Sequence, residues 1–449
     1  MSRINRRNFL GYSGALAAGA ALWTPGSSVL AGGRAASTGA APRRRTSSAT
    51  GEISFWSNHP GGSIDVEKEL ISRFEAENPD VKVNLVDGGA NYEEVAQKFN
   101  AALSGGDLPD VVVLSDVWWF NFALLGAITP LDDLFAEASV DTSDYVDALL
   151  ADYLFNEQHF ALPYARSTPL FYYNQDLWAE VGLEDRGPAT WDEWDEWAPE
   201  IQAVVGDGNY AHGWGNGASY LGWTFQGPNW TKGGSYSEEW TLNFTSEETI
   251  AAAQWLSDMI NSAKVATVAN ELANEFSTGF YGSVIASTGD LKGITDNAIF
   301  EFNTAPLPQG PNGEIGCCTG GAGLAIPSGI DDDRKLNALR FIDFVTNPAN
   351  TAYFTQNTGY MPVRKSAVED PAEVEFLDAN PRARTAIDQL ANTQSQDYAR
   401  VFIPGADQII GAKFEEIGLQ GADVATTLED IQSQLQTILD RDITPKLPS

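Results

Sequence analysis

Short apolar runs alternate along the chain with segments in which apolar residues recur every three or four positions. Residues 53–56 and 81–86 predict strands, and the apolar spacing of residues 63–77 and 92–103 predicts helices that follow them. Residues 111–114 are apolar throughout, which is typical of a parallel strand that is covered on both faces. This order of strand, helix, strand, helix and strand predicts the start of a doubly wound α/β domain.

The second half of the chain is rich in helical patterns. Thr190 is placed to cap a helix over residues 191–204, and Glu193 completes the sequence signature of a capping box. Glycine-rich and aromatic loops occupy residues 212–217 and 318–323. Further helices are predicted over residues 246–262, 335–346, 408–417 and 422–440, and another begins at residue 349.

Residues 161–174, with the sequence ALPYARSTPLFYYN, place polar side chains between two apolar segments. The polar residues are Arg166, Ser167 and Thr168, and a proline follows them. Serine, threonine and proline favour turns for backbone reasons alone, so a surface turn is one interpretation. Turns rarely lead directly into segments that are so apolar on both sides. The alternative to a surface turn follows below from the resemblance to a known family.

Residues 1–31 have the layout of an export signal. A basic start that contains Arg6 and Arg7 precedes an apolar stretch over residues 9–22, and small residues follow. The stretch is too short for a membrane span, and the arginine pair before it resembles a twin-arginine signal. Residues 32–51 have no aliphatic side chain larger than alanine and predict a flexible linker. We therefore expect an exported protein, located outside the cell or at its surface.

The chain is strongly acidic once this leader is set aside. Residues 1–51 contain seven of the 27 Lys and Arg and no acidic residue, so 20 basic residues face 61 acidic ones in the remainder, a formal charge of −41. Such a balance lacks the cations that neutralise phosphates, which excludes a general nucleic-acid binder. The acids are dispersed as on halophilic proteins, although an ordinary acidic secreted protein is the alternative.

The sequence offers little support for metal or redox chemistry. Cys317 and Cys318 are neighbours, and a disulfide between them would close a strained small ring. With only three scattered histidines beside them, a metal site is not expected, and neither is a cofactor.

Motifs of the common hydrolases and nucleotide-binding enzymes are missing from the sequence. We find no Gly-x-Ser-x-Gly, no His-Glu-x-x-His and no Gly-x-x-x-x-Gly-Lys-Ser/Thr. A glycosidase needs two carboxylates across a cleft, and among 61 acidic residues that pattern is uninformative. The sequence therefore favours a protein that is not an enzyme, with a secreted glycosidase-like enzyme as an alternative.

Four stretches of the sequence resemble the extracellular solute-binding proteins of ABC importers, the family that includes maltose-binding protein. They are residues 108–113 (LPDVVV), 161–176, 276–289, and 320–327 together with 338–348. Residues 167–174 (STPLFYYN) and 356–363 (QNTGYMPV) resemble the sn-glycerol-3-phosphate-binding branch of this family in particular.

This resemblance implies an α/β, two-lobed periplasmic-binding-protein fold, in which each lobe is a mixed sheet flanked by helices and the ligand cleft lies at the hinge. Lobe 1 would comprise residues 52–165 and 306–347, and lobe 2 residues 166–305 and 348–449. The chain would cross between the lobes near residues 164–168, 303–306 and 347–350. Residues 161–174 would then be a strand that passes the mouth of the cleft, with its polar residues facing ligand and solvent.

The resemblance also implies a set of ligand-binding residues. The residues carried over from the glycerol-phosphate branch are Tyr92, Asp116, Ser167, Ser287, Gly321, Tyr360 and Arg400. We add Arg166, which would help to bind a phosphate or pair with a nearby acid, and Trp214, which would stack on the ligand, with Trp223 as its alternative. Trp118 and Trp119 are bulky and would narrow or reshape the cleft.

Several of these residues have a structural alternative. Tyr92 also fits the apolar stripe of its helix, and Asp116 could simply cap the helix that follows. Gly321 could serve the shape of the backbone alone, and Arg400 could be a solvated surface residue.

The resemblance implies a function as well. The protein would capture sn-glycerol-3-phosphate or a related carbohydrate or polyol, and deliver it to the membrane permease subunits of an ABC importer by closing its lobes around the solute. A neutral oligosaccharide is the alternative ligand. We expect a monomer that binds a small-molecule solute and no nucleic acid.

Overall fold

The structure is a computed structural model that describes residues 51–217, 221–314 and 316–447. The export signal predicted for residues 1–31 lies outside the described residues, as does the linker predicted for residues 32–51 apart from Gly51, which begins the first strand. Among the described residues, no helix is both long and apolar enough to cross a membrane.

The strands are short, and most belong to two five-stranded sheets. In chain order they are β1 (Gly51–Ser57), β2 (Val81–Asp87), β3 (Val111–Ser115), β4 (Leu154–Phe155), β5 (Gln158–His159), β6 (Leu162–Ser167), β7 (Pro169–Asn174), β8 (Tyr210–Trp214), β9 (Ser237–Glu238), β10 (Thr241–Leu242), β11 (Ala266–Val268), β12 (Tyr281–Ser287), β13 (Phe302–Ala305), β14 (Cys317–Cys318), β15 (Gly320–Ala325) and β16 (Thr393–Gln394).

Helices make up most of the remaining regular structure. They are α1 (Ile64–Glu77), α2 (Tyr92–Gly105), α3 (Asp116–Leu124), α4 (Asp132–Ala138), α5 (Asp147–Ala151), α6 (Gln175–Val181), α7 (Trp191–Val204), α8 (Leu221–Thr224), α9 (Gln226–Thr231), α10 (Glu247–Ser257), α11 (Leu272–Ser277), α12 (Leu291–Asn297), α13 (Asp332–Val345), α14 (Pro348–Thr358), α15 (Lys365–Val368), α16 (Pro371–Ala379), α17 (Pro381–Leu390), α18 (Tyr398–Val401), α19 (Ala406–Gln420) and α20 (Val424–Ile438). Single 3₁₀ turns lie at Pro60–Gly62, Thr288–Asp290 and Thr444–Lys446, and π-helical turns at Asp258–Ser262 and Leu439–Ile443.

The two main sheets are both mixed. The first has the order β2-β1-β3-β15-β6, in which β1 runs parallel to β2 and β3 while β15 runs antiparallel to β3 and β6. The second has the order β11-β8-β12-β7-β13, in which β8 runs parallel to β11 and β12 while β7 runs antiparallel to β12 and β13. Helices flank each sheet, which confirms the predicted α/β fold of two lobes.

Residues 161–174 join the two sheets. Strand β6 ends at Ser167 in the first sheet and β7 begins at Pro169 in the second, so Thr168 alone lies between them. The chain returns between β13 of the second sheet and β15 of the first. The short β14 on this return path pairs with β16, which places both beside the hinge.

The segment after α14 stays beside the first lobe. Arg364 Nε donates to the carbonyl of Thr346 at 2.9 Å, and the amide of Lys365 donates to the carbonyl of Asp144 at 2.7 Å. Helix α17 then lies against β13 of the second sheet. The sequence-based boundary assigned all residues from 348 onward to lobe 2, so these contacts place the last crossing later along the chain than we expected.

Helix starts follow from local hydrogen bonding. Thr190 Oγ1 accepts the amide of Glu193 at 3.2 Å, as expected of a cap. The Glu193 carboxylate, however, accepts the amide of Ala189 at 2.6 Å, so the second bond of the predicted capping box goes to the residue before the cap. Helix α13 begins three residues earlier than its apolar pattern predicted, because the side chain of Asp331 caps it by accepting the amide of Arg334 at 3.0 Å.

Candidate ligand-binding cavity

A cavity of about 610 Å³ is lined by residues of both lobes. Its first side is formed where β1, β2 and β3 end, which is where open α/β sheets bind ligands. The second side is formed by α8, the end of β12, α18 and the start of α19. The lining residues are Asn58, Pro60, Gly61, Ala90, Asn91, Tyr92, Glu93, Ser115, Asp116, Val117, Trp118, Ser167, Trp223, Ser287, Gly321, Tyr360, Arg400, Asp407 and Gln408.

Two tyrosines meet on the cavity wall. The hydroxyls of Tyr92 and Tyr360 lie 3.3 Å apart. The ring of Tyr360 fits between Gly61 and Gly289, where an added Cβ would lie 2.9 Å and 2.8 Å from ring carbons. Burial raises the pKa of both phenols, that of Tyr360 to about 12, so both hydroxyls are neutral and can donate hydrogen bonds.

Asp116 is an acceptor at the start of α3. It is 8% exposed, and its Oδ2 accepts from Gln396 Nε2 at 2.5 Å. Its Oδ1 accepts from Arg166 Nη1 at 2.8 Å. Burial raises the pKa of Asp116, and the positive charge of Arg166 opposes that rise. Ser115 occupies the cap position of α3, so Asp116 is not the cap residue of this helix.

Arg400 is the one cation among the described residues that line the cavity, where it faces three carboxylates, those of Glu93, Asp116 and Asp407. Its Nη2 lies 2.8 Å from Asp407 Oδ1, and its Nη1 donates to Gln396 Oε1. Its Nε is buried and has no hydrogen-bond partner within the described ranges. Arg400 therefore keeps one unpaired but buried donor, and the surrounding charge is net negative.

Trp223 presents an indole to the cavity from α8. Its Nε1 donates to the carbonyl of Thr319 at 3.0 Å. The ring lies directly against Gly320, where an added Cβ would be 2.4 Å from ring carbon Cζ2. Trp118 also lines the cavity and stacks on Phe122 with centroids 6.0 Å apart. The cavity thus offers aromatic faces as well as carboxylates.

Three small residues complete the predicted set on the cavity wall. Ser167 ends β6, and Ser287 ends β12, where its Oγ accepts the amide of Gly289 at 3.1 Å. Gly321 has a φ of +106°, and an added Cβ would lie 2.0 Å from the carbonyl oxygen of Ala165. The backbone therefore requires glycine at position 321, and Gly321 lines the cavity as well.

Seven of the nine residues in the sequence-based set line this cavity, and Arg166 does not. It is fully buried behind the wall, bonded to Asp116, Asp152 and the hydroxyl of Tyr153. Successive residues of a strand face opposite sides, so Ser167 and Arg166 cannot both face the cavity. The expected contact of Arg166 with a phosphate is therefore replaced by pairing with acids.

Trp214 is also away from the cavity. It ends β8 in the interior of the second lobe, fully buried and stacked 6.4 Å from Trp191. His212 lies 4.9 Å from it in an edge arrangement, and Trp255 lies 6.1 Å from it. Trp223, which we considered as its alternative, is the tryptophan of the two that lines the cavity.

Sequence reasoning missed Glu93, Asp407, Gln408 and the loop at residues 58–61. Gln408 Nε2 donates to Glu93 Oε2 at 3.1 Å, which connects α19 to α2. Glu93 carried a usable signal, since it follows Tyr92 at the start of a helix next to a predicted strand end. Asp407 had none, because the segment around it reads as an ordinary helix start.

Comparison with known proteins supports the class of protein that the sequence resemblance implied, the extracellular solute-binding proteins. Residues 69–384, more than half of the chain, match the family described as bacterial extracellular solute-binding protein, and residues 3–23 match the twin-arginine translocation pathway signal sequence. The sn-glycerol-3-phosphate-binding periplasmic protein UgpB of Escherichia coli (strain K12) is 29% identical over 356 residues, which cover 76% of this chain and 80% of that protein.

Solved structures share the fold over most of this chain. The crystal structure of UgpB from Mycobacterium tuberculosis in complex with glycerophosphocholine superposes with a TM-score of 0.86 at 59% identity, covering 88% of this chain and 100% of that one. Maltose-bound MalE3 of T. maritima superposes with a TM-score of 0.76 at 22% identity, covering 87% and 100%, and its likeness concerns the fold alone. The chain therefore belongs to the bacterial extracellular solute-binding proteins, a family of binding proteins rather than enzymes, and is the exported solute-binding component of an ABC importer.

Proposed function

We propose that the cavity binds a glycerophosphodiester with a cationic headgroup, such as glycerophosphocholine, for delivery to the permease. The observation that carries this proposal is the charge of the cavity, where Arg400 faces Glu93, Asp116 and Asp407. The relatives named above support a glycerophosphate ligand, since one is described as binding sn-glycerol-3-phosphate, and another was crystallised with glycerophosphocholine, which has the cationic headgroup.

Arg400 is the proposed phosphate ligand. A guanidinium binds phosphate oxygens through charge-assisted hydrogen bonds, often two at once. A phosphodiester carries one negative charge at neutral pH, whereas a phosphomonoester carries about −1.5 to −2. Because three carboxylates line the same cavity, the additional charge of a monoester is disfavoured. The cavity should therefore prefer the diester to glycerol-3-phosphate.

The carboxylates and aromatic rings suit the rest of such a ligand. Ionised Asp116 accepts hydrogen bonds only, which fits the hydroxyl groups of glycerol. A quaternary ammonium is attracted by aromatic faces, with tryptophan the strongest, and Trp118 and Trp223 both line the cavity. Contacts to groups on both lobes at once would favour the closed arrangement of the lobes.

We also propose that the protein acts as a monomer without catalytic activity and that its acidic surface is an adaptation to high salt. Electrostatic screening extends over about 3 Å at 1 M salt and about 30 Å at 0.01 M, so removing salt exposes repulsion among the acids. The melting temperature should fall as salt is removed. Equal stability at low and multimolar salt would contradict the adaptation to salt and leave the binding proposal intact.

A thermal-shift panel tests the ligand class. The panel contains glycerophosphocholine, glycerol-3-phosphate, glycerol, choline and maltose, because a ligand that binds only the folded state raises its stability. We expect the largest shift with glycerophosphocholine and a smaller one with glycerol-3-phosphate. A shift with maltose alone would favour the neutral oligosaccharide, and steady hydrolysis of glycerophosphocholine would instead favour an enzyme.

A further inference from the structure

Arg166 holds two carboxylates behind the cavity wall. Its Nη1 donates to Asp116 Oδ1 at 2.8 Å and to the hydroxyl of Tyr153 at 2.7 Å, and its Nη2 donates to Asp152. Arg166 is fully buried and does not line the cavity, whereas Asp116 does. The side chain of Arg166 therefore connects to the cavity wall through its hydrogen bond to Asp116.

The same two carboxylates accept hydrogen bonds from a segment anchored on the second lobe. Gln396 Nε2 donates to Asp116 Oδ2 at 2.5 Å, and Ser395 Oγ donates to Asp152 Oδ1 at 2.6 Å. Gln226 of α9 holds this segment, because its Nε2 donates to Gln396 Oε1 at 3.1 Å. Helix α9 lies in the chain between β8 and β11, two strands of the second sheet. One guanidinium thus contacts two of the acceptors that bond to the opposite lobe.

We propose that Arg166 is a positioning residue for ligand binding, which orients the Asp116 carboxylate at the cavity and spaces the two acceptors on which the second lobe closes. This inference rests on the proposed function, in which Asp116 contacts the ligand. A guanidinium suits the task because its planar fork presents several donors in fixed directions, which the single ammonium of lysine cannot do.

Arg364 provides a matched control. It is 4% exposed, donates to Asp343 Oδ1 at 2.6 Å and lies 3.6 Å from the ring centroid of Tyr145, yet it does not line the cavity. Replacing either arginine by methionine leaves buried acceptors unpaired, which destabilises the fold. If Arg166 served only the fold, both variants would lose stability and neither would change ligand affinity or its dependence on pH.

The pH dependence of affinity separates positioning from stability. The charged and titratable groups that face Asp116 are Arg166, Asp152, Arg400, Tyr92, Tyr153, Tyr360 and Cys318. Burial raises the pKa of Asp116, Arg166 opposes that rise and Asp152 adds to it. Affinity should fall as pH drops through this pKa, because the protonated carboxyl loses its charge.

The variants are therefore expected to move the pH midpoint of binding in opposite directions. Loss of a contacting cation raises a carboxylate pKa by about one to three units, so Arg166→Met should move the midpoint upward by about that much. Asp152→Asn removes a like charge and should move the midpoint downward. Arg166→Lys keeps the charge and should keep the midpoint near that of the wild type, with only part of the affinity.

The experiment is a calorimetric titration of glycerophosphocholine over about pH 4 to 8 with the wild type and these variants. We expect Arg166→Met to bind at least about tenfold more weakly at neutral pH, and Arg364→Met to bind like the wild type. The inference would be overturned if Arg166→Met had the same ligand affinity and pH midpoint as Arg364→Met. It would also be overturned if Asp152→Asn moved the midpoint upward. If Arg166→Met does not fold, the other two variants decide the outcome. Arg166→Lys should then show reduced affinity at a midpoint near that of the wild type, and Asp152→Asn a lower midpoint.

Failure of the proposed function gives a different result. If the wild type binds neither glycerophosphocholine nor glycerol-3-phosphate, that function fails, and the coupling is measured without ligand. Thermal unfolding of Arg166→Lys, Asp116→Asn and the double variant forms a double-mutant cycle. Additive effects would overturn the positioning of Asp116 by Arg166, and non-additive effects would show that the two side chains are coupled, as the inference requires.

Discussion

Trp214 in the core of the second lobe and Trp223 on the cavity wall are almost equally inaccessible, at 0% and 5% exposure. Their neighbours differ. Trp214 is surrounded by other rings, and its Nε1 has no hydrogen-bond partner within the described ranges. Trp223 lies against the backbone of Gly320 and donates to the carbonyl of Thr319. Low exposure therefore does not distinguish a core indole from one on the cavity wall, whereas the neighbouring groups do.

The largest effect expected from this contrast is on stability. Trp214→Ala should lower the free energy of unfolding by about 3–5 kcal/mol, because it leaves a cavity in a packed aromatic core. The affinity of the remaining folded protein for glycerophosphocholine should stay within about twofold of the wild type. Chemical denaturation and calorimetry on the same sample check both values, and a large loss of affinity would return Trp214 to the binding site.

Arg400→Ala should have the largest effect on affinity without a comparable cost in the core. Charge-assisted hydrogen bonds contribute about 1.5–3 kcal/mol each, so the variant should bind about tenfold to more than a hundredfold more weakly. Arg400→Lys should recover part of the loss. Calorimetry measures both affinities. The control is Arg441→Ala, because Arg441 is an exposed arginine that pairs with Asp442. Unchanged affinity for Arg400→Ala would remove the phosphate assignment.

Gly320→Ala tests whether the backbone beneath Trp223 sets the position of the ring. The added Cβ would lie 2.4 Å from ring carbon Cζ2, so the ring must move, at a cost of about 1–3 kcal/mol. We expect weaker binding together with reduced stability. Gly293→Ala in α12 is the control, because no atom lies within 4 Å of its added Cβ, and it should raise stability by about 0.4–1 kcal/mol. Wild-type affinity in Gly320→Ala would show that the ring position does not matter.

Among the variants expected to weaken binding, Trp223→Ala should have the smallest effect on binding free energy, and the most selective one. Loss of a tryptophan face should cost a cationic headgroup about 0.5–2 kcal/mol of binding free energy. Glycerol-3-phosphate has no such headgroup, and its affinity should change less. Titration of both ligands into both proteins measures the difference. An equal loss for the two ligands would mean that Trp223 does not contact the headgroup.

The sequence predicted the first transition between the two sheets well, because its signal is local. Two apolar strands separated by Arg166, Ser167 and Thr168 are visible in the sequence, and β6 and β7 do lie in different sheets. All seven residues carried over from the resemblance also came together on one cavity, and some of them lie at or just after a strand end, as Ser287 and Asp116 do.

Two residues of the predicted set do not line the cavity: Trp214 and Arg166, for which pairing with a nearby acid was the stated alternative. Both β6 and β7 are buried along their whole length, so no alternation of polar and apolar residues separated Arg166 from Ser167. The alternation of side chains along a strand could have separated them, because only one of Arg166 and Ser167 can face the cavity. Trp214 could not have been separated from Trp223 in this way, because the distinction depends on Gly320 and Thr319, which lie far away in the sequence.

A crystal structure of the protein with glycerophosphocholine would test the central claim most directly. We expect the ligand in the cavity of about 610 Å³, with a phosphate oxygen about 2.7–2.9 Å from the guanidinium of Arg400. The glycerol hydroxyls should reach Asp116, and the ammonium should face Trp223. A phosphate bound elsewhere, with Arg400 still paired only with Asp407 and Gln396, would contradict the account.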